Sequence, residues 1–174
     1  SVLGTNSRYI ALSHARRFGK SQAANMIESY YSRGCDSEEL FSGLEISKSS
    51  DFKKYLNKFN VIHFDIAGFL GFYKENLVNK LYSVICSEVD AEYPGVYNKG
   101  NSVNEVLLHA YEKSGQGSDR IPFIIIIDEW DCVIREYSHN QEFVHEYLQF
   151  LHALFKSKEA QIFLALGYIT GILP

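Results

Sequence analysis

The chain has 174 residues, of which 46% are hydrophobic and 14% aromatic, and this size and composition predict a single domain with a substantial core. Seventeen basic and twenty-one acidic residues give a formal net charge of −4, which argues against a nucleic-acid-binding face. The three cysteines form no CxxC pair, and no apolar run approaches the roughly 20 residues of a membrane span. We therefore expect a cytoplasmic protein with reduced thiols, without a zinc site and without a membrane partner.

The first predicted unit is a strand, a loop and a helix. The strand is Arg8 to Ser13, which contains the run Tyr-Ile-Ala-Leu, and apolar residues recur at helical spacing from Ala23 to Tyr31. Residues 16 to 21, between them, read Arg-Arg-Phe-Gly-Lys-Ser. A helix that begins at Ser21 would direct its N–H groups and the positive end of its dipole at the loop, which predicts an anion site there.

Gly19, Lys20 and Ser21 match the end of a phosphate-binding loop, or P-loop. Such a loop surrounds phosphate oxygens with backbone N–H groups, extends a Lys to the β- and γ-phosphates and places a hydroxyl group on Mg²⁺. The common pattern begins with Gly where this chain has His14, and Gly-Lys-Ser alone also occurs by chance. One of the two loop arginines is expected to contact phosphate, and the other to pair with a carboxylate such as Asp131. The residues expected to contact ATP are Arg16, Arg17, Phe18, Gly19, Lys20, Ser21 and Gln22.

The middle of the chain alternates between helices and a strand. Apolar residues from Phe52 to Phe59 indicate a short helix, and Asn60 to Ile66 reads as a buried strand. A longer helix is predicted over about 74 to 90. Ser102 and Glu105 form a capping box, which predicts the start of a further helix.

The next predicted strand, Pro122 to Ile127, runs directly into Asp128 and Glu129. Its four consecutive isoleucines are typical of a central parallel strand. Asp128 can hold Mg²⁺ through a coordinated water, and Glu129 can take a proton from an attacking water. The same pair can also simply cap the next helix. The candidate metal ligands are therefore Ser21 and Asp128, and the candidate general base is Glu129.

The end of the chain completes the pattern of alternating elements. A helix is predicted from an apolar stripe, and the strand Gln161 to Tyr168 follows it. The stripe consists of Val144, Tyr147, Leu148, Leu151, Leu154 and Phe155. Strands that alternate with long crossovers predict a three-layer α/β/α fold with a mostly parallel sheet, in which ligands bind at the carboxyl ends of the strands. Both motifs fall at such ends, so residues 1–174 are expected to form a single P-loop ATPase core.

Four segments of the chain resemble the bacterial and archaeal AAA-ATPase-like family. They are His14 to Ser21, Leu40 to Ile46, Ile127 to Asp131 and Ile169 to Pro174. The resemblance covers nearly the whole chain. The family also lacks the first Gly of the common P-loop pattern.

The chain departs from the family pattern at Ala15, where the family favours Pro, and at Trp130, where it more often has Tyr. The resemblance implies an additional strand, here Gln161 to Tyr168, between the loop strand and the Asp-Glu strand. It also implies that Thr170 senses the γ-phosphate, which makes Lys20, Glu129 and Thr170 the candidate catalytic residues.

The resemblance further implies domains outside these residues. Family members typically begin with another segment and continue into a helical lid and a PD-(D/E)XK nuclease-like domain. We therefore expect residues 1–174 to be a fragment, with the loop strand at an edge of the sheet and DNA contacted only through the missing domain. A homo-oligomer is an open alternative, and Arg135 is one candidate for an arginine finger offered to a neighbouring subunit.

Three functions are compatible with these residues. The first is Mg-dependent ATP hydrolysis coupled to a partner domain. The second is a regulatory module that uses bound nucleotide as a switch with little or no turnover, although a pure switch does not need a general base such as Glu129. The third is a kinase built on the same loop, for which no acceptor-site pattern is visible.

Overall fold

Four parallel β-strands form the sheet of the computed structural model, which describes residues 8–13, 19–98 and 101–173. They are β1 (Tyr9–Ser13), β2 (Asn60–Asp65), β3 (Phe123–Asp128) and β4 (Leu164–Gly171). Their order across the sheet is β1-β4-β3-β2, and every neighbouring pair is parallel. The last strand along the chain therefore lies between the first and the third.

Helices flank this sheet and make a three-layer α/β/α fold, which confirms the predicted fold class. In the described residues the α-helices are α1 (Lys20–Tyr31), α2 (Glu38–Phe41), α3 (Phe52–Tyr55), α4 (Ile66–Tyr73), α5 (Leu77–Glu92), α6 (Val103–Lys113), α7 (Cys132–Glu136), α8 (Gln141–Lys156) and α9 (Ala160–Phe163). Short 3₁₀ turns lie at Glu45–Lys48, Lys74–Asn76 and Gly117–Asp119. None of the helices in these ranges combines the length and the apolar character needed to cross a membrane.

β3 separates two apolar cores, because successive side chains of a strand point to opposite faces. Ile124 and Ile126 pack in the layer that contains α1, whereas Ile125 and Ile127 pack with α5, α6 and α8. All four isoleucines are completely buried. A strand that is buried on both faces has no place for polar side chains, which explains the uninterrupted apolar run.

The predicted start of the last strand is wrong. Gln161 to Tyr168 reads as a strand in the sequence, but the strand begins at Leu164 and the residues before it belong to α9. Ala160 and Phe163 are buried there, whereas Ile162 is 55% exposed. Apolar residues therefore follow the spacing of a helical turn at this point, and not the alternation of a strand.

Two other predicted boundaries of secondary-structure elements differ from those in the structure. The sequence prediction places Ile66 in the second strand, but Ile66 begins α4. The carboxylate of Asp65 accepts hydrogen bonds from the N–H groups of Ala67 (3.1 Å) and Gly68 (3.3 Å) and so caps this helix. The helix predicted over 74 to 90 is α5, which is preceded by a 3₁₀ turn and continues to Glu92.

The apolar stripe of α8 is as predicted except at Leu148. The other members of the stripe are buried or half-buried, but Leu148 is 38% exposed. Leu148 lies on the flank of α8 that faces β1. There it lines an apolar groove of about 310 Å³ together with Trp130 and residues of β1.

β1 lies at an edge of the sheet, as the family resemblance implied. Among the described residues only β4 pairs with it. The hydroxyl group of Tyr9 donates a hydrogen bond of 2.7 Å to the carbonyl oxygen of Phe155, which fixes β1 to α8. Ile10 and Leu12 pack against the core on the α1 side, so β1 is covered on both faces but paired, within the described residues, along one edge.

Candidate functional site

The backbone geometry at the start of α1 suits the binding of an anion. Gly19 precedes the helix with a φ of 73°, a left-handed conformation that glycine adopts at little cost. No side chain of the described residues caps this end, and the first turn contains no acidic residue. Since the first N–H groups of a helix have no partner within the helix, they can bind an anion here.

Only some of the loop residues predicted from the sequence lie in the described ranges. Lys20 is 6% exposed, which is unusual for a lysine, whereas Ser21 and Gln22 are exposed. Arg16, Arg17 and Phe18 lie outside the described residues. The helix begins at Lys20, one residue before the predicted start at Ser21.

Asp128 and Thr170 meet at the carboxyl ends of β3 and β4. Asp128 is 3% exposed and Thr170 is completely buried. The Thr170 hydroxyl group donates a hydrogen bond to Asp128 Oδ1, and the N–H group of Glu129 donates another to the same oxygen at 3.0 Å. Burial, and then the negative charge of Asp128, raise the pKa of the neighbouring Tyr168. The acidic residue is therefore oriented by its own loop and by the adjacent strand.

Glu129 adopts an uncommon backbone conformation. Its φ is 52°, in the left-handed region, which costs a non-glycine residue about 1 kcal/mol or more. Its N–H group lies 3.4 Å from Thr170 Oγ1 as well as near Asp128. Glu129 Oε2 is 3.2 Å from Arg135 Nη2. Both the backbone and the side chain of Glu129 are thus held in place.

Asp131 is completely buried and connects the loop after β3 to the chain after β4. Its Oδ2 accepts hydrogen bonds from the N–H groups of Ile172 (3.0 Å) and Leu173 (2.8 Å). The same oxygen accepts a hydrogen bond of 3.2 Å from Arg135 Nε. Asp131 Oδ1 has no hydrogen-bond partner in the described part of the chain. The described partner of Asp131 is therefore Arg135, where the sequence suggested Arg16 or Arg17.

The loop after β3 packs closely against the end of β4. The backbone N–H group of Trp130 donates a hydrogen bond of 3.0 Å to the carbonyl oxygen of Thr170. The hydroxyl group of Tyr147 donates one of 2.9 Å to the carbonyl oxygen of Trp130. A Cβ atom at Gly171 would lie 2.7 Å from the indole nitrogen of Trp130. Only glycine fits at this position without displacing the loop. Burial is the main cause that raises the pKa of Tyr147 well above its ordinary value.

The cysteines contribute no reactive group to this site. Cys86 and Cys132 are buried and Cys35 is exposed, all with free thiols. Burial, followed by the charge of Glu136, raises the pKa of the Cys132 thiol to about 12. A thiol with such a pKa is a poor nucleophile near neutral pH, which agrees with a structural role.

The carboxylates of the site fit a magnesium ion only together with a ligand that brings further oxygens. Within the described ranges, no three His, Cys, Asp or Glu side chains are grouped so that they could hold a metal by themselves. Mg²⁺ is commonly bound by one or two protein groups plus phosphate oxygens and water. The buried Asp128 and the hydroxyl group of Ser21 are suitable groups of this kind.

Two features of the site are not predicted from the sequence. Asp131 and Arg135 are four residues apart, a spacing typical of ion pairs on helices, and this spacing could have indicated their contact. The contact of Arg135 with Glu129 has no such signal, because it depends on the left-handed turn at Glu129.

A comparison with models of protein families gives a match over the whole of this chain. Residues 1–174 match the model of the AAA-ATPase-like family, which is described as "Predicted AAA-ATPase". This description indicates nucleotide binding. Searches of curated proteins and of solved structures found no significant match. The family match covers every residue, and the parallel sheet with acidic and hydroxyl side chains at its strand ends agrees with it, so the chain belongs to the AAA-ATPase-like family.

Proposed function

We propose that this chain binds ATP with Mg²⁺ and hydrolyses it. The observation that carries the proposal is the contact of the buried Asp128 with Thr170, at the end of β3 and directly before Glu129. A buried carboxylate that is oriented by two donors is suited to hold a charged ligand in a fixed position. No side chain of the described residues caps the start of α1, which follows the edge strand β1, and this supports a phosphate site at the same end of the sheet.

The residues around the phosphates would act by position and charge. In the proposal, the loop from Arg16 to Gln22 surrounds the phosphates with N–H groups, and Lys20 neutralises charge on the β- and γ-phosphates. Ser21 and Asp128 hold the metal, the latter through water. When bound, Mg²⁺ supplies further neutralisation of the phosphate oxygens.

Glu129 would accept the proton in the chemical step. Its carboxylate orients a water molecule and takes a proton as the water oxygen bonds to the γ-phosphorus. The bond from that phosphorus to the bridging oxygen breaks, which yields ADP and inorganic phosphate. Thr170, whose hydroxyl group donates to Asp128, would sense the γ-phosphate, as the family resemblance implies.

The setting of this activity is proposed from the family resemblance. Turnover would be coupled to a partner domain, for which the nuclease-like domain is the candidate, and DNA would be contacted only there. A cytoplasmic location and self-association belong to the same proposal. Residues 1–174 would serve as the single ATPase core of such a protein.

A regulatory switch with little turnover is the second candidate. The ion pair of Glu129 with Arg135 favours it, because one oxygen of the carboxylate is then occupied by a guanidinium group. Measurements of binding and of turnover distinguish the two functions.

The test compares the wild type with Lys20→Ala, Glu129→Gln and the control Lys58→Ala. Lys58 is exposed just before β2, away from the proposed site. Calorimetric titration with Mg-ATP should show binding by the wild type, Glu129→Gln and the control, but not by Lys20→Ala. Phosphate release should fall about 10²- to 10⁴-fold in Glu129→Gln. A wild type that binds ATP but releases phosphate no faster than Glu129→Gln supports the switch, and equal binding by Lys20→Ala excludes the loop as the site.

A further inference from the structure

We propose that Arg135, which is itself held by Asp131, is a positioning residue for the Glu129 carboxylate. The inference rests on the proposed function, in which Glu129 accepts the proton of the attacking water. It assigns to Arg135 a role inside its own subunit, at a distance from the nucleotide.

A continuous set of polar contacts carries this inference. The N–H groups of Ile172 and Leu173, just after β4, fix Asp131 Oδ2 at 3.0 and 2.8 Å. Asp131 Oδ2 accepts a hydrogen bond from Arg135 Nε, and Arg135 Nη2 donates to Glu129 Oε2, each at 3.2 Å. Main-chain groups therefore hold Asp131, Asp131 holds Arg135, and Arg135 contacts the proposed base Glu129.

The guanidinium group is well suited to this task. It is planar, and two different carboxylates engage two of its nitrogens, so that the plane of the group cannot rotate freely. The side chains of Arg135 and Glu129 are 21% and 26% exposed, and Asp131 is fully buried. Partial burial reduces the competition from water for these hydrogen bonds, and hydrogen bonds between charged groups are the stronger ones.

The contact leaves part of Glu129 available. In the described ranges, Arg135 engages Oε2 of the carboxylate, and Oε1 accepts no hydrogen bond. The backbone of Glu129 is fixed by its left-handed conformation and by the N–H contact to Asp128. With the backbone and one carboxylate oxygen fixed, the other oxygen is directed at a single position, which is what a base needs in order to orient water.

This geometry disfavours an arginine finger. An arginine finger must extend from the surface of its subunit to reach a nucleotide bound by a neighbour, whereas the half-buried Arg135 is engaged by two carboxylates of its own subunit. The arrangement also predicts how the kinetics respond to substitution. Because Arg135 acts through Glu129, its loss should lower kcat and leave KM for ATP nearly unchanged.

The experiment measures kcat and KM for ATP in the wild type, Arg135→Ala, Glu129→Gln and the double variant. We expect Arg135→Ala to lower kcat by about 10- to 100-fold, the scale of a small misplacement of a reacting group. In the Glu129→Gln background the same substitution should have almost no effect. Arg135→Lys, which retains the positive charge on a single nitrogen, should recover part of the lost kcat.

Arg33→Ala is the matched control. Arg33 also pairs with a glutamate, Glu92, and lies over the ring of Tyr93, but it is situated beside the start of β2. It should therefore retain the wild-type kcat. Circular dichroism verifies folding, and if Arg135→Ala does not fold, the comparison is made with Arg135→Lys and Arg135→Gln.

The outcomes separate the inference from the proposed function. Unchanged or increased kcat in a folded Arg135 variant overturns the positioning role, and so does a loss that is equally large in the Glu129→Gln background. A change confined to KM also overturns it, because Arg135 would then contact the nucleotide. If the wild type itself shows no hydrolysis, the proposed function fails and the inference fails with it.

Discussion

Thr170 connects the acidic residue of the site to the neighbouring strand. Its hydroxyl group is one of two donors to Asp128 Oδ1, and both side chains are buried. Removal of a donor to a buried charged group usually costs more than the hydrogen bond itself contributes, because the charge stays in an apolar environment. Thr170 should consequently matter for stability as well as for turnover.

We expect Thr170→Val, which has nearly the same shape but no hydroxyl group, to lower the free energy of unfolding by about 1–3 kcal/mol. It should also reduce phosphate release, because Asp128 then loses part of its orientation. Urea unfolding and a steady-state assay measure the two effects. Thr170→Ser retains the hydroxyl group and serves as the control. A Val variant as stable and as active as the wild type would show that this contact has no role.

Individual residues of the candidate site are predicted from the sequence only where they are neighbours along the chain. Gly19 and Lys20 are predicted from one short segment, and Asp128 and Glu129 from another. The placement of Thr170 comes from family resemblance, and its contact with Asp128 agrees with that placement. The Arg135 contact is not predicted, because a turn of the backbone at Glu129 brings together two residues that have no periodic relation in sequence.

At the scale of elements, long and strongly patterned segments are predicted well and short ones are not. β3 is recognisable because both of its faces are buried, and α6 because of its capping box. α4 is missed, because its eight residues are all apolar or glycine and show no alternation between an apolar and a polar face. α9 is taken for strand, because its four residues form little more than one helical turn. Their positions depend on local events, such as the cap at Asp65 and the burial of Phe163.

The capping box of α6 gives a prediction at this scale. Ser102 Oγ accepts a hydrogen bond of 3.2 Å from the Glu105 N–H group, and Glu105 Oε2 accepts one of 2.6 Å from the Ser102 N–H group. These backbone and side-chain contacts with Ser102 lower the pKa of Glu105. Ser102→Ala should reduce the free energy of unfolding by about 1 kcal/mol, measured by chemical denaturation.

Two variants make this test specific. Ser102→Asp retains an acceptor for the N–H group and should stay close to the wild type. Ser83, which is exposed in the middle of α5, offers the opposite control, because Ala is the better helix former there. If Ser102→Ala is no less stable than Ser83→Ala, the cap does not contribute as proposed.

At the scale of the whole molecule, the sheet is unequally protected. β3 has a strand on each side and helices over both faces, whereas β1 has a described neighbour only in β4. The apolar groove lies between α8 and the strands β1 and β4, on one face of this part of the sheet. An edge strand is a place where other chain segments can pair.

Hydrogen exchange followed by mass spectrometry should reveal this difference. We expect peptides that cover residues 8–13 to exchange faster than peptides that cover 123–128, because local opening is easier at an edge. The helix α5 provides an internal reference for a buried element. Equal protection of the two strands would mean that another segment covers β1, and protection that increases with protein concentration would identify a second copy.

The position of β4 in the sheet also constrains the order in which the strands can pair during synthesis. β1 pairs with β4 across the sheet, and the hydrogen bond from Ser13 to Ile172 joins residues 159 positions apart. During synthesis, β1 leaves the ribosome long before its partner exists. β1 and β3 touch the same strand and not each other, so the sheet cannot close until β4 has been translated. Chains with such distant partners fold slowly, and β1 therefore stays without its partner β4 while residues 14–163 are synthesised.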